Sequence, residues 1–211
     1  MIIDPKGYFY GDIYKLMIGA IVPRPIAFVS TVDMSGHRNL APFSFFNGVC
    51  SNPPIIAFST VIRKDGTDKD TLNNIEATKE FVVNIVSEDF AAQMNIASTE
   101  FPPSVDEFIE SKLTPVPSDV VASPRVKESR ITMECRLVTI VRFGEGPGGG
   151  QTIFGEILRF HIDDLLIENF KIDPDRLNAI GRMGGPTYTR TNDRFDLMRP
   201  KTGENVSTLV R

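Results

Sequence analysis

Three short apolar runs, residues 26–32, 55–61 and 81–86, set the terms for this chain: each has strand length and is rich in β-branched and aromatic side chains. Each is bounded by turn or breaker chemistry. Arg24-Pro25 forces an extended approach to the first run, because a residue before proline is pushed out of the helical region. Asp33-Met34-Ser35-Gly36-His37 supplies a turn, so the chain from Arg38 returns antiparallel as a hairpin. Ser51-Asn52-Pro53-Pro54 breaks that second strand before the next begins. Farther on, Ile131, Met133, Cys135 and Leu137 alternate with Thr132, Glu134 and Arg136, the pattern of a half-buried strand, and residues 151–162 form its partner. Strands joined mostly by hairpins, with two or three inserted helices, predict a mainly β fold: an antiparallel barrel with helices on its outside.

The helical segments follow from composition and spacing. The polar loop from Arg63 leads into a helix carrying Leu72, Ile75, Ala77 and Thr78, with Asp70 or Thr71 as its cap. A second helix starts at Ser87 and Glu88 and holds Phe90, Ala91, Met94 and Ile96. Five prolines between Pro102 and Pro124 leave a loop with a short helix around residues 105–112. Residues 1–23 read as a short helix or an irregular layer over the core, residues 174–180 as a short helix and 194–198 as a last strand. Without an internal repeat or linker, residues 1–211 read as a single domain with a core of about residues 22–200 and a polar tail from about residue 201.

Composition removes several function classes. A formal charge of −4 lacks the basic footprint of a nucleic-acid binder. No apolar run approaches the roughly 20 residues needed to span a bilayer. The start, Met1-Ile2-Ile3-Asp4-Pro5, lacks the basic and apolar regions of a signal peptide, so a cytoplasmic location is expected. Cys50 and Cys135 both lie in apolar strand-like segments and read as buried free thiols, without a structural disulfide.

The stretch Asn39-Leu40-Ala41-Pro42-Phe43-Ser44-Phe45-Phe46-Asn47 is the first candidate site: aromatics that can wall a flat ligand beside amides and a hydroxyl that can fix its polar edges. The alternative is an aromatic core strand ended by polar turn residues. Ser30, Thr31, Ser44, Ser59, Thr60, Lys64 and Thr71 fall near the ends of three adjacent strands or at the start of the first helix, with Arg63 and Lys69 close in sequence. Short donors, cations and a helix N-terminus are what a phosphate monoester requires. The same residues also suit ordinary strand-end and capping chemistry. Arg182 and Tyr188 flank a glycine-rich segment and can reach a ligand or form a plain turn. Gly144-Glu145-Gly146-Pro147-Gly148-Gly149 matches a dinucleotide-binding pattern but precedes a strand, so it reads as a hairpin loop. His37 and His161 lack neighbours at metal-ligand spacing and are expected to be structural; no metal site is expected.

From about Val22 to Pro200 the sequence resembles the flavin reductase-like family, on residues 23–31, 39–47, 52–54, 69–75, 80–84 and 182–188, and within it the flavoredoxin-like subgroup. The resemblance implies a split β-barrel of antiparallel, Greek-key-like connection that binds FMN, or FAD in its place, in a groove at or near the interface of a homodimer. It also implies that Ser30, Thr31, Phe45, Phe46 and Asn47 surround the ring system and ribityl chain, and that Ser59, Lys64 and Thr71 lie near the phosphate. The implied reaction is hydride transfer from NADH or NADPH to the flavin. That step requires stacked rings and no obligatory protein acid or base, so no catalytic side chain is expected. An oxygenase or another acceptor would take the electrons. The other reading is an electron carrier of the flavoredoxin type that holds FMN and never meets nicotinamide.

Overall fold

The computed structural model describes residues 1–199. In chain order its main elements are α1 (Tyr10–Ala20), β1 (Ala27–Val32), β2 (Arg38–Phe43), β3 (Phe46–Ser51), β4 (Pro54–Val61), α2 (Asp70–Thr78), β5 (Glu80–Ile85), α3 (Ala91–Ala97) and α4 (Glu107–Ser111). There follow β6 (Pro115–Val116), β7 (Arg125–Val126), β8 (Ile131–Phe143), β9 (Gly150–Ile162), β10 (Ile167–Glu168), β11 (Lys171–Ile172), α5 (Pro174–Leu177), β12 (Ile180–Arg182) and β13 (Tyr188–Arg190). Seven strands make one antiparallel sheet in the order β2-β1-β5-β8-β9-β4-β3. Its two edge strands, β2 and β3, are consecutive in the chain. The sheet therefore curls until its edges meet through Ser44 and Phe45, where the Ser59 N–H donates to the Phe45 carbonyl (2.8 Å). This is the split barrel.

Strand alternation divides the core in two. Ala27, Val29, Phe58, Phe81, Val83, Cys135 and Ile153 fill the barrel, and α2 plugs it with Leu72 and Ile75. Phe28 and Leu40 point the other way and are covered by Phe90, Met94 and Phe108 from the segment carrying α3 and α4. Both faces of β1 are thus buried, which explains its unbroken apolar and small-residue sequence.

Several expectations need correction. The first five residues of β8, Thr132 and Glu134 included, are buried rather than half-buried. The cause is the segment before β7: the Asp119 and Val120 N–H groups donate to the two oxygens of Glu134 (2.8 and 2.7 Å), so the polar face of the strand is covered. His161 Nε2 also lies against that carboxylate, and Asp119, Glu134 and His161 form a cluster. Residues 1–23 do contain a helix, but α1 buries none of its side chains and is no layer over the core. Cys50 is exposed because β3 is an edge strand whose residues from Asn47 onward face outward; Cys135 alone is a buried thiol, and burial pushes it well up from the ordinary thiol range. The second helix opens as a 3₁₀ turn at Glu88–Phe90, and Ile96 is exposed. The last strand among the described residues is β13, while residues 194–198 have no regular structure. The tail expected from residue 201 lies outside the described residues. The glycine loop does join β8 to β9, with Gly144, Gly146 and Gly148 at positive φ. No helix among the described residues is long and apolar enough to cross a membrane.

Candidate functional site

Beside the free edge of β2, a cleft of about 90 Å³ opens between that strand, the N-terminus of α2 and the α3–α4 connection. Its walls include Asn39, Ala41, Pro42 and Phe43 from β2, Lys69, Asp70 and Thr71 from the start of α2, and Arg63. Ser98 to Phe101 and Glu107 close the other side. A cleft of this size has room for a phosphate group.

The chemistry of the walls fits an anion. Neither Asp70 nor Thr71 caps α2, contrary to the sequence reading. The N-cap position is Lys69, which has no side-chain cap, while Asp70 pairs with Arg63 (2.7 Å) and the Thr71 hydroxyl accepts from the Asn39 amide (2.9 Å). The Leu72 and Asn73 N–H groups close the first turn on the Lys69 carbonyl. The N–H groups of Asp70 and Thr71 find no acceptor among the described residues, and uncapped helix N-termini of this kind bind anions. Two cations, Arg63 and Lys69, stand at the same place; Lys69 is held by the exposed Glu100 (2.6 Å), whose carboxyl it lowers.

Glu107 is the exception in this set. It is 8% exposed, and its Oε2 accepts from the Leu40 N–H (3.0 Å) on the unpaired edge of β2. No side chain among the described residues donates to this carboxylate. Burial pushes this carboxyl above its ordinary range; the Leu40 N–H and its own backbone N–H oppose the shift, while Asp106 and Asp70 add to it.

The predicted site residues divide sharply. Thr71 lines the cleft. Ser30 is fully buried and donates to the Pro124 carbonyl; Thr31 is buried and accepts from Asn74 on α2; Thr60 bonds Gln151 and Ser59 bonds Thr152. None of these four lines the cleft: Ser59 and Thr60 are engaged across the sheet by β9, Ser30 by the segment before β7 and Thr31 by α2. Lys64 is exposed in the β4–α2 loop, and the cations that reach the cleft are Arg63 and Lys69. Phe46 packs on the barrel core opposite Phe58, and Asn47 is exposed at the start of β3, its Oδ1 accepting from Gly48 N. Ser44 and Phe45 sit at the seam between β2 and β3. There Ser44 accepts from Arg24 Nε (3.2 Å), and Phe45 meets Tyr14 edge-on with ring centroids 6.3 Å apart. Arg182 lies over the Tyr188 ring at 4.5 Å on the β12–β13 hairpin, and Tyr188 approaches Asn95.

Arg24 is the organising residue that the sequence did not single out. It is 3% exposed and has no carboxylate partner among the described residues. Instead its guanidinium donates to the carbonyls of Ile18 (2.7 Å), Ile21 (2.8 Å) and Met183 (2.9 Å), besides Ser44. Two of these carbonyls belong to the C-terminal end of α1, where a cation is favoured. Burial lowers its pKa, Tyr14 works against that shift and Arg182 adds to it. Its backbone also pairs with Arg182 (2.9 and 2.8 Å), so α1, the aromatic seam and the β12–β13 hairpin converge on one side chain. The available signal was Arg24-Pro25 itself, which shows an extended bend and not a buried charge.

Comparison with known proteins agrees with this geometry. Residues 18–171 match the flavin reductase like domain. An uncharacterized protein of Aquifex aeolicus is 44% identical over 182 residues, covering 85% of this chain and 91% of the relative. The crystal structure of nitrilotriacetate monooxygenase component B from Bacillus cereus is 39% identical with a TM-score of 0.89, over 93% of this chain and 98% of that one. The 2-nitrobenzoate 2-nitroreductase of Pseudomonas fluorescens is 32% identical with a TM-score of 0.86, over 96% and 98%. The chain belongs to the flavin reductase-like family, and its barrel is the split barrel of that family.

Proposed function

We propose that this flavoprotein is an FMN-dependent oxidoreductase that takes hydride from NADH or NADPH and passes the electrons to an oxygenase or another acceptor. The observation that carries the FMN assignment is the cleft at the uncapped start of α2, phosphate-sized and flanked by Arg63, Lys69 and Thr71. From that cleft the chain leads through Pro42 and Phe43 to Ser44, Phe45, Phe46 and Asn47, an aromatic and amide-bearing track suited to the rest of a flavin. When bound, the flavin supplies the redox chemistry. The chain's own residues anchor the phosphate and hold the seam in place: Asn39 fixes Thr71, and Arg24 fixes Ser44 with Phe45 beside it.

The same reading includes a homodimer. Helix α1 has 11 residues and buries none of them, although isolated helices shorter than about 12–15 residues are marginal in water. Leu16, Met17, Val49, Val138, Phe143 and Phe160 are all exposed on α1, β3, β8 and β9. A second copy covering these elements accounts for both facts and places the seam of the barrel near the interface.

The test is spectroscopic. Purified protein, or protein titrated with FMN, shows a visible flavin band, and stopped-flow mixing with NADH or NADPH bleaches it on a turnover timescale. A colourless protein that takes up no FMN refutes the cofactor. A flavin band that neither nicotinamide bleaches refutes the reductase and leaves an electron carrier.

A further inference from the structure

The cleft has an electrostatic problem if its ligand carries a phosphate. Its walls hold two cations, Arg63 and Lys69, against three carboxylates, Asp70, Glu100 and Glu107. Arg63 is already paired with Asp70, and Lys69 with Glu100. Glu100 is exposed and can turn away, releasing Lys69 to a ligand. Glu107 cannot do so. It is nine-tenths buried, anchored through Oε2 to the Leu40 N–H, and no side chain among the described residues donates to it. An ionised Glu107 would meet a phosphate dianion across a small, partly desolvated space, where like charges repel strongly.

We propose that Glu107 meets the ligand as a neutral carboxylic acid, so that entry of an anionic, phosphate-bearing ligand into the cleft draws one proton from solvent onto the protein. The new O–H bond forms on Glu107, which turns from a repelling acceptor into a donor while keeping its bond from Leu40 N. The surroundings favour this. On its own segment Glu107 has Asp106 and Glu110. The α2 end presents Asp70 and Lys69, the β4–α2 loop Arg63 and the α3–α4 connection Glu100. Strand β2 contributes Arg38, which is taken by Asp106 (Nε to Oδ2, 2.7 Å), and α3 contributes no charged residue. Among the described residues no cation is paired with Glu107 itself. Burial already lifts this carboxyl in the free protein, and a bound phosphate lifts it further.

The inference rests on the flavin reading, and its test separates the two. FMN is titrated by fluorescence quenching into the wild-type protein and into Glu107→Gln from about pH 7 to 9, above the second phosphate ionisation near ~6. Gln keeps an acceptor for Leu40 N and a donor in place of the O–H, without the charge. The wild-type Kd for FMN rises with pH by up to about tenfold per unit, while that of Glu107→Gln stays nearly flat. Riboflavin, which has no phosphate, gives parallel curves for the two proteins. Should Glu107→Gln fail to fold, as judged by circular dichroism, calorimetry of the wild-type protein in two buffers of different ionisation enthalpy decides the matter. Net proton uptake with FMN and none with riboflavin supports the inference. Parallel FMN curves for the two proteins, or no proton uptake, overturn it while leaving FMN binding intact. Absence of FMN binding to either protein at any pH refutes the flavin reading and this inference together.

Discussion

The Asn39 side-chain amide donates to the Thr71 hydroxyl across 2.9 Å, joining the free edge of β2 to the first turn of α2. The two residues are 32 positions apart, and their bond links two walls of the candidate phosphate cleft. Asn39→Ala removes one neutral hydrogen bond worth about 1 kcal/mol, so FMN binding is expected to weaken about fivefold. Fluorescence titration measures this; an unchanged Kd would show that the bond does not shape the site.

Lys69 is the cation best placed to leave its surface partner for a ligand phosphate. A charge-assisted hydrogen bond contributes about 1.5–3 kcal/mol, so Lys69→Ala is expected to weaken FMN binding by about 10–100-fold. Riboflavin affinity should not change. Equal losses for both ligands would move the phosphate elsewhere.

Glu134 gives the fold its own pH dependence. Burial alone would raise this carboxyl, yet the Asp119 and Val120 N–H groups and His161 together hold it below the ordinary range. A depressed carboxylate contributes stability that is present above the unfolded-state pKa and is lost as pH falls through the lowered folded value. Wild-type stability should therefore decline in the acid range below the usual carboxylate pKa. Glu134→Gln should flatten that part of the profile and cost about 2 kcal/mol at neutral pH, a fall of roughly 4–8 °C in Tm. Thermal melts across pH show whether the two profiles differ.

Gly155 is packed shut. A Cβ built there would lie 2.3 Å from Phe81 Cζ and 2.8 Å from Phe81 Cε1, inside the barrel core. Phe81 has no exposure and meets the Phe58 ring edge-on, so it has little room to yield. Gly155→Ala should destabilise by about 1–3 kcal/mol. A denaturant midpoint equal to that of wild type would show that Phe81 is freer than its packing indicates.

Val138 is 53% exposed on β8. In a monomer, Val138→Lys is a surface change within about 0.5 kcal/mol of neutral. In the proposed homodimer it places a charge at an apolar interface. Sedimentation velocity should show a dimer for the wild type and a shift toward monomer for the variant; a monomeric wild type would refute the dimer.

The barrel was largely legible because strand alternation and turn residues are local signals. Residues 26–32, 55–61 and 81–86 each became a strand within one residue at each end. Glu134 misled because its covering, residues 119 and 120, arrives from a segment whose position no periodicity encodes. The site was less legible. Hydroxyls at strand ends look alike in sequence whether they face a ligand or a neighbouring strand, and Ser30, Thr31, Ser59 and Thr60 all bond within the fold. Glu107 and Arg24 carry no local mark at all, since their roles come from burial against distant parts of the chain. The aromatic stretch at residues 39–47 was read as part of one strand running from Arg38 to the break at Ser51–Pro54; the structure divides that run into β2 and β3 at Ser44 and Phe45, the seam where two sheet edges meet.

That seam has a consequence for how the protein lives without its cofactor. The backbone groups along the outer edge of β2 are not part of the ladders from β1 through β5, β8 and β9 to β4 that hold the barrel. A ligand seated there borders the sheet much as an extra strand would, and its departure breaks none of those ladders. Loading and emptying are therefore local events, on a different free-energy scale from global unfolding. Saturating ligand should add to the melting temperature by mass action, while the emptied chain stays folded and ready to be filled again.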